Sequence, residues 1–330
     1  MNTPQKKPKP PAHQRTIDAE LAGQRLDNFL LGSLKGVPRG HVYRLIRSGQ
    51  VRVNSGRVTP SYRLQAGDRV RVPPVSAGRK SAMVPDSGGL DWLRDRIVFE
   101  DARLIVLDKP SGLAAHGGSG ISLGGIEALR ALRPEQRHLE LVHRLDRATS
   151  GCLLVAKRRS ALRALHALLR EGRVEKRYFA LVKGQWGQGT CEIEAPLSTY
   201  RGDGEARVKV DSAGKPARSS FRLVESIGTL ASFVEVQIAT GRTHQIRVHA
   251  AHAGHPVAGD DRYGDREFNA LLQGFGLHRM FLHAHSIAFT WPESSEEFSV
   301  SIPLAEELTE VLNALQETAT SRRVGRSRPQ

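Results

Sequence analysis

The sequence of 330 residues has few of the features that mark secreted or membrane proteins. It contains only two cysteines, Cys152 and Cys191, which can form one disulfide at most and therefore favour a reducing compartment. No apolar run approaches the roughly 18 residues that a membrane-spanning helix needs. Residues 1–12 are rich in lysine and proline and lack the apolar segment of a secretory signal. We therefore expect a cytoplasmic protein without membrane contact.

Positive charge is concentrated near the N-terminus. The whole chain has a net charge of +15, of which residues 24–75 contribute +8 and the much longer segment 76–315 only +2. A small basic module attached to a nearly neutral body is typical of proteins that bind a polyanion, and nucleic acid is the expected partner. The alternative is a basic surface that only increases solubility.

The basic segment has the pattern of two helices followed by short strands. Apolar residues recur at helical spacing in residues 26–34 and again in residues 42–46, and glycines follow both runs. Short valine-rich runs separated by turn residues follow in residues 51–72. On the second helix, Arg44 and Arg47 fall opposite the apolar side chains. One face of this helix can therefore pack while the other contacts phosphates.

Residues 24–72 resemble an S4 domain, a small RNA-binding module. The alternative is a basic helical subdomain with another purpose. Composition then divides the chain into five predicted regions: a disordered basic arm (1–20), the S4-like domain (21–75), a linker rich in glycine, serine and proline (76–95), the larger domain (96–315) and a basic tail (316–330).

The larger domain contains more strand-like than helix-like runs. Its buried strands are predicted in residues 97–99, 104–106, 178–182, 221–224, 233–238 and 298–302, and its helices in residues 158–169 and 304–315. Strands and helices do not alternate regularly. We therefore predict an α+β fold with a mainly antiparallel sheet rather than a parallel βαβ fold.

The most informative loop places Asp146 between Arg144 and Arg147, directly before an apolar strand. Neighbouring cations keep a carboxylate ionised even when it is partly buried. An ionised carboxylate in a cleft can act as a nucleophile or a general base. The chemistry alone favours the more ordinary interpretation, a structural network of ion pairs.

Four segments, in order, resemble the motifs of the RluA-type pseudouridine synthases. They are Lys-Pro-Ser-Gly at residues 109–112, His-Arg-Leu-Asp with Thr-Ser-Gly at 143–151, the segment 175–184 around Tyr178, and Thr-Gly-Arg-Thr-His-Gln-Ile-Arg-Val-His at 240–249. Residues 37–39, 261–268 and 281–284 resemble the RluC subgroup, which modifies large-subunit (23S) ribosomal RNA. With the S4-like segment, the resemblance covers nearly the whole chain.

The resemblance implies a role for each matching residue. Asp146 would be the catalytic residue, and Arg247 would pair with its carboxylate, with Arg242 as the second choice for that pairing. Tyr178 would stack on the uracil, although an ordinary core tyrosine has the same pattern. Leu282 would line the uracil pocket, although core packing explains it nearly as well.

The remaining implications concern the substrate. Arg144 would occupy the space that the extruded base leaves in the RNA, while Arg44 and Arg47 would bind phosphates. No cofactor and no metal are implied, and the partner would be large-subunit ribosomal RNA, bound by a monomer. Three routes are open to Asp146: addition to the uracil ring, attack on the sugar or removal of a sugar proton.

Two other functions remain open at this point. His249, His252 and His255, with nearby aspartates and with His283 and His285, could ligate a metal ion in a nuclease, although their spacing fits no common metal motif. Alternatively, the protein could bind or help to assemble ribosomes through the S4-like module without catalysis.

Overall fold

The computed structural model describes residues 13–19, 21–34, 37–75, 87–117, 124–136, 138–202 and 205–326. Residues 13–75 belong to one compact unit, the N-terminal unit, and residues 87–326 to a second, the C-terminal unit. Within these ranges, no helix is long and apolar enough to cross a bilayer. Residues 1–12 of the predicted arm lie outside the described residues.

The N-terminal unit packs two helices against a small antiparallel sheet. Its elements are β1 (His13–Thr16), α1 (Leu26–Ser33), α2 (Arg39–Arg47), β2 (Arg52–Val53) and β3 (Arg69–Val72), and the strand order is β1-β3-β2. Strand β1 differs from the prediction, which placed residues 13–16 in a disordered arm. All four of its side chains are exposed, so its place in the sheet depends on backbone pairing with β3 that a side-chain pattern does not reveal.

Helix α2 has the two faces that the sequence predicts. Its apolar side chains are buried, whereas Arg44 and Arg47 are exposed in its last turn. A buried carboxylate links α1 to α2, because Asp27 accepts hydrogen bonds from Arg25 Nη2 and Tyr43 Oη, both at 2.8 Å. The bond from Arg25, followed by the bond from Tyr43, lowers the pKa of Asp27 to about 2. This contact between α1 and α2 fixes the position of the helix that presents Arg44 and Arg47.

The C-terminal unit is built on a sheet of ten described strands. The strands are β4 (Ile97–Glu100), β5 (Leu104–Lys109), β6 (Glu140–Leu141), β7 (Ser150–Ala156), β8 (Glu175–Lys183), β9 (Thr190–Glu194), β12 (Arg218–Ile227), β13 (Ala231–Ile238), β14 (Leu282–Thr290) and β15 (Glu297–Ser301), with a separate hairpin of β10 (Leu197–Gly202) and β11 (Glu205–Val210). The main order is β4-β5-β7-β14-β8-β13-β12-β9, and only β7 and β14 pair in parallel. The predicted α+β fold with a mainly antiparallel sheet is confirmed.

Helices cover both faces of this sheet. They are α3 (Gly125–Leu132), α4 (Arg159–Arg170), α5 (Gln245–His252), α6 (Arg266–Gln273) and α7 (Glu306–Arg326). Along β8, Tyr178 and Ala180 join the core beneath α3 and α4, while Phe179 and Leu181 join the core beneath α6 and α7. This alternation follows from the two-residue period of a strand.

The ends of the C-terminal unit differ from the predicted regions. Residues 87–93, placed in a linker, form a 3₁₀ helix whose Leu90 and Leu93 are buried. Helix α7 continues to Arg326, well into the predicted tail, where the sequence has no apolar pattern from which a helix could be predicted. Residues 76–86 and 327–330 lie outside the described residues.

Strand β7 fixes the position of the loop that carries Asp146. All seven of its residues are buried, and it lies between β5 and β14. Gly151 has a φ of +103°, and a Cβ atom at this position would overlap the carbonyl oxygen of Ala284. Only glycine therefore allows β7 and β14 to approach so closely at the point where the loop ends.

Candidate active site

Six of the eight residues singled out from the sequence line one pocket of the C-terminal unit. They are Arg144, Asp146, Tyr178, Arg242, Arg247 and Leu282. Asp146 lies in the loop before β7, Arg247 in the first turn of α5, Tyr178 in β8 and Leu282 at the start of β14. The other two, Arg44 and Arg47, lie on α2 of the N-terminal unit.

Asp146 is held by a buried arginine that is itself fixed by a second carboxylate. Arg247 Nη1 lies 3.3 Å from Asp146 Oδ2, while Arg247 Nε and Nη2 donate to Asp260 at 2.6 and 2.7 Å. Burial alone would lower the pKa of Arg247, but the two carboxylates outweigh it and raise the pKa. Burial would likewise raise the pKa of Asp260, but Arg247 and two backbone amides lower it. The guanidinium is therefore charged and rigidly aimed at Asp146.

Sequence reasoning gave no role to three residues beside this pair. Asp260 has a fully buried side chain, the ring of Tyr263 lies 5.0 Å below the Arg247 guanidinium, and His244 Nε2 lies 3.8 Å from Asp146 Oδ2. His244 falls within the motif segment 240–249 and Tyr263 within a segment that resembles the RluC subgroup, while Asp260 is one of the aspartates near the histidines considered as metal ligands. Their joint position depends on the fold of residues 244–263, which no local pattern reveals.

Tyr178 and Leu282 form an apolar wall of the pocket. Strands β8 and β14 pair so that Leu282 lies opposite Ala180 and Ala284 lies opposite Tyr178. Both side chains are buried, and burial, followed by the charge of Asp146, raises the pKa of Tyr178 well above its usual value. The phenol therefore stays neutral and presents a flat ring beside the carboxylate.

Two arginines at the pocket differ in how they are held. Arg144 is exposed at the rim. Arg242 is also exposed, but its Nε donates to the carbonyl of Pro216 at 3.0 Å. Of the two arginines considered for the pairing with Asp146, Arg247 makes the contact.

A buried lysine joins the Lys-Pro-Ser-Gly turn to the Asp146 loop. Lys109 Nζ donates to the carbonyls of Pro110, Leu113 and Arg147 at 3.0, 2.8 and 3.2 Å. Burial lowers its pKa to about 7, while the charge of Asp146 acts in the opposite direction. Three acceptors match the three N–H groups of an ammonium. Ser111 Oγ strengthens the same junction by donating to the carbonyl of Ala148 at 2.8 Å.

We predict that Lys109→Met destabilises the protein by about 3 kcal/mol or more, because three buried carbonyls lose their donor. Turnover should fall as well, since the Asp146 loop loses its anchor. Thermal unfolding and single-turnover kinetics would measure both effects. Lys183→Met is the matched control, because it removes a half-exposed pair with Asp265 and should change stability by less than about 1 kcal/mol. Equal effects of the two substitutions would contradict the anchoring role.

Four of the five histidines that suggested a metal site, all except His252, make hydrogen bonds in the described part of the chain, such as the bond from His285 Nδ1 to the carbonyl of Ile302. His249 contacts Ser219 Oγ and the carbonyl of Ala195, both at 3.0 Å. His255 Nδ1 contacts the carbonyl of Lys183, and His283 Nδ1 contacts Ser150 Oγ. Within the described ranges, no three His, Cys, Asp or Glu side chains gather in a group that could hold a metal ion.

Known proteins resemble the chain over both units. The family model described as RNA pseudouridylate synthase matches residues 103–252, and the S4 domain model matches residues 24–70. Ribosomal large subunit pseudouridine synthase C of Yersinia pestis is 55% identical over 92% of this chain and 96% of its own. The protein of the same name from Escherichia coli K12 is 52% identical over 91% and 95%.

A solved structure shows the same fold at lower sequence identity. Human RNA pseudouridylate synthase domain containing 4 matches with a TM-score of 0.58 and 24% identity, over 70% of this chain and 96% of its own.

The two bacterial relatives show the family. Each is more than 50% identical to this chain over nearly the full length of both proteins, and neither relative favours the nuclease or the purely binding alternative. The chain belongs to the RNA pseudouridylate synthase family.

Proposed function

We propose that this protein converts uridines of large-subunit ribosomal RNA to pseudouridine, with Asp146 as the catalytic group. The position of the Asp146 carboxylate is the observation that carries the proposal. The carboxylate lines the pocket, and its Oδ2 lies 3.3 Å from Nη1 of the buried Arg247. The names of the relatives from Yersinia pestis and Escherichia coli support the choice of RNA. We expect a monomer that acts in the cytoplasm.

The reaction requires only rearrangement within one nucleotide. The bond between N1 and C1′ breaks, the uracil turns, C5 bonds to C1′, the hydrogen on C5 leaves to water as a proton, and N1 takes up a proton. Atoms and electrons balance without a donor or an oxidant, so we expect no cofactor. Asp146 serves this reaction by attacking the sugar, adding to the ring or removing a sugar proton, and the contact with the Arg247 guanidinium holds and orients its carboxylate in each case.

The target base must leave its stack before it can reach the pocket. Extrusion of a base costs a few kcal/mol. We propose that exposed Arg144 fills the gap in the RNA, because a guanidinium can stack on neighbouring bases. Inside the pocket, Tyr178 would stack on the uracil, a contact worth about 1–3 kcal/mol, with Leu282 as a neighbouring wall. Arg242, fixed at the rim, would contact a phosphate beside the target.

Release of tritium tests the proposal directly. Large-subunit RNA labelled with tritium at C5 of uridine should lose its label to water when the protein is added, because pseudouridine formation removes this hydrogen. Mapping pseudouridine in the RNA of cells with and without the protein would identify the sites. RNA binding without release of tritium would overturn the proposal and favour the non-catalytic alternative.

The basic face of α2 should supply affinity through phosphate contacts. We predict that the double substitution Arg44→Gln and Arg47→Gln weakens RNA binding and lowers the slope of log affinity against log salt by roughly 0.7–0.9 for each lost contact. Activity at saturating RNA should remain. Arg94→Gln with Arg173→Gln is the control, because both arginines are exposed in the C-terminal unit. An unchanged slope in the α2 variant would count against this face.

A further inference from the structure

His244 occupies an unusual backbone position at the pocket. It precedes α5 as the N-cap residue and has a φ of 55°, in the left-handed region that side chains other than glycine and asparagine rarely adopt. Its side chain is only 13% exposed and lines the pocket, with Nε2 at 3.8 Å from Asp146 Oδ2. Such a strained position is retained when the surroundings require the side chain to be there.

The hydrogen bonds around Tyr263 favour one of the two neutral forms of the His244 imidazole. The backbone N–H of Val208 donates to Tyr263 Oη at 2.9 Å, so this oxygen is an acceptor there. Tyr263 Oη also lies 2.9 Å from His244 Nδ1. The phenol has one hydrogen, and donating it to Nδ1 satisfies both groups. In the neutral imidazole the proton then lies on Nε2, the nitrogen that faces Asp146.

The surroundings of His244 favour this neutral form. Burial is the main cause and lowers the pKa of His244. The charge of Asp146 opposes it, while Arg247 and Arg262 lower the pKa further and Asp260 raises it least. Burial also raises the pKa of Tyr263, so the phenol keeps the hydrogen that it donates. His244 therefore presents an N–H group at neutral pH without adding a positive charge beside Arg247.

The N–H of Nε2 is suited to a carbonyl oxygen of the substrate. The distance of 3.8 Å to Asp146 is too long for a hydrogen bond, and Asp146 already contacts Arg247. A uracil bound against Asp146 carries two carbonyl oxygens, O2 and O4, and either one could accept a hydrogen bond from Nε2. When the bond between N1 and C1′ breaks, the electron pair goes to the uracil, and its negative charge spreads onto these oxygens.

We propose that His244 is a further catalytic residue, a neutral N–H donor whose polarity is set by Tyr263 and which binds a carbonyl oxygen of the extruded uracil. This inference rests on the proposed function. The hydrogen bond strengthens as the uracil becomes an anion, so it accelerates the chemical step more than it increases affinity. Tyr263 acts as a positioning residue, because it touches His244 and not the substrate.

Two substitutions of nearly equal length separate donation from folding. His244→Gln keeps an amide N–H near the position of Nε2, whereas His244→Met removes it, and both side chains meet the same left-handed backbone. We expect His244→Met to lower kcat for tritium release about 10- to 100-fold with unchanged RNA affinity, the range of a hydrogen bond to a charged group. His244→Gln should recover most of that loss. Equal activities of the wild type and both variants would overturn the inference.

Thio-substituted RNA identifies the acceptor. Sulfur accepts hydrogen bonds weakly, so a substrate with sulfur in place of the contacted oxygen gains little from the N–H of His244. With 2-thiouridine or 4-thiouridine at the target, whichever replaces that oxygen, the wild type should therefore be hardly more active than His244→Met. A ratio of wild-type to His244→Met activity that neither substrate reduces would overturn the assignment to a uracil carbonyl.

Nitrogen NMR of histidine-labelled protein reads the tautomer without any substrate. We expect a protonated Nε2 and a bare Nδ1 for His244 in the wild type, and a mixture of tautomers in Tyr263→Phe. A bare Nε2 in the wild type would overturn the inference. Absence of tritium release by the wild type would instead overturn the proposed function, so the two failures are distinguishable.

Discussion

Replacement of Asp146 by asparagine should abolish tritium release, with a fall of at least about 10³-fold, the scale expected when a nucleophile or general base is lost. The amide has the same shape as the carboxylate but neither attacks carbon nor removes a proton at neutral pH. All three routes open to Asp146 need the ionised oxygen, so the result does not depend on which route operates. Single-turnover tritium release with saturating protein would measure the chemical step itself.

The folded state and the RNA affinity of Asp146→Asn should change little. Asp146 contacts Arg247 at 3.3 Å, but Arg247 keeps its two shorter bonds to Asp260. Asp261→Asn is a suitable control, because Asp261 is exposed and lies one residue from Asp260. Retained activity in Asp146→Asn, or equal loss in the control, would remove Asp146 from the catalytic role.

The sequence predicted the strands and the pocket residues that follow local patterns. Asp146, Tyr178 and Arg247 each lie in a recognisable motif, and the structure brings all three to one pocket. Strand β8 was predicted because its apolar residues form a continuous run between charged ones. These patterns lie within short segments, so they can be recognised in the sequence without knowledge of the fold.

The features that the sequence missed depend on contacts between distant residues. Helix α5 alternates polar and apolar residues in a short segment. Its Gln245, Arg247 and His249 are buried because partners elsewhere satisfy them. The link from Val208 through Tyr263 to His244 joins three separate segments. Lys109 looks like a surface residue by type, but its three carbonyl partners allow complete burial. A sequence pattern gives the residue type and not the partner that makes burial possible.

The ion pair between Asp260 and Arg247 should contribute more to stability than any other charged contact at the site. The fully buried carboxylate of Asp260 accepts four hydrogen bonds, from Arg247 Nε and Nη2 and from the amides of Arg262 and Tyr263 at 2.9 and 3.2 Å. Asp260→Asn removes the charge and turns an N–H₂ group towards the guanidinium or the amides. Breaking a buried pair on one side costs about 3–5 kcal/mol, because the remaining charge stays buried. We expect the free energy of unfolding to fall by this amount.

A double-mutant cycle would separate this pair from its surroundings. Arg247→Met removes the guanidinium, so in the double variant with Asp260→Asn neither member of this pair remains as an unpaired charge. The double variant should be more stable than the sum of the two single losses predicts. Turnover should also fall in Asp260→Asn, since Arg247 is then free to turn away from Asp146. Asp261→Asn again serves as the control in chemical denaturation. Additive losses of stability in the cycle would show that Asp260 does not hold Arg247 in place. The fixed position of the Asp146 carboxylate would then need another cause.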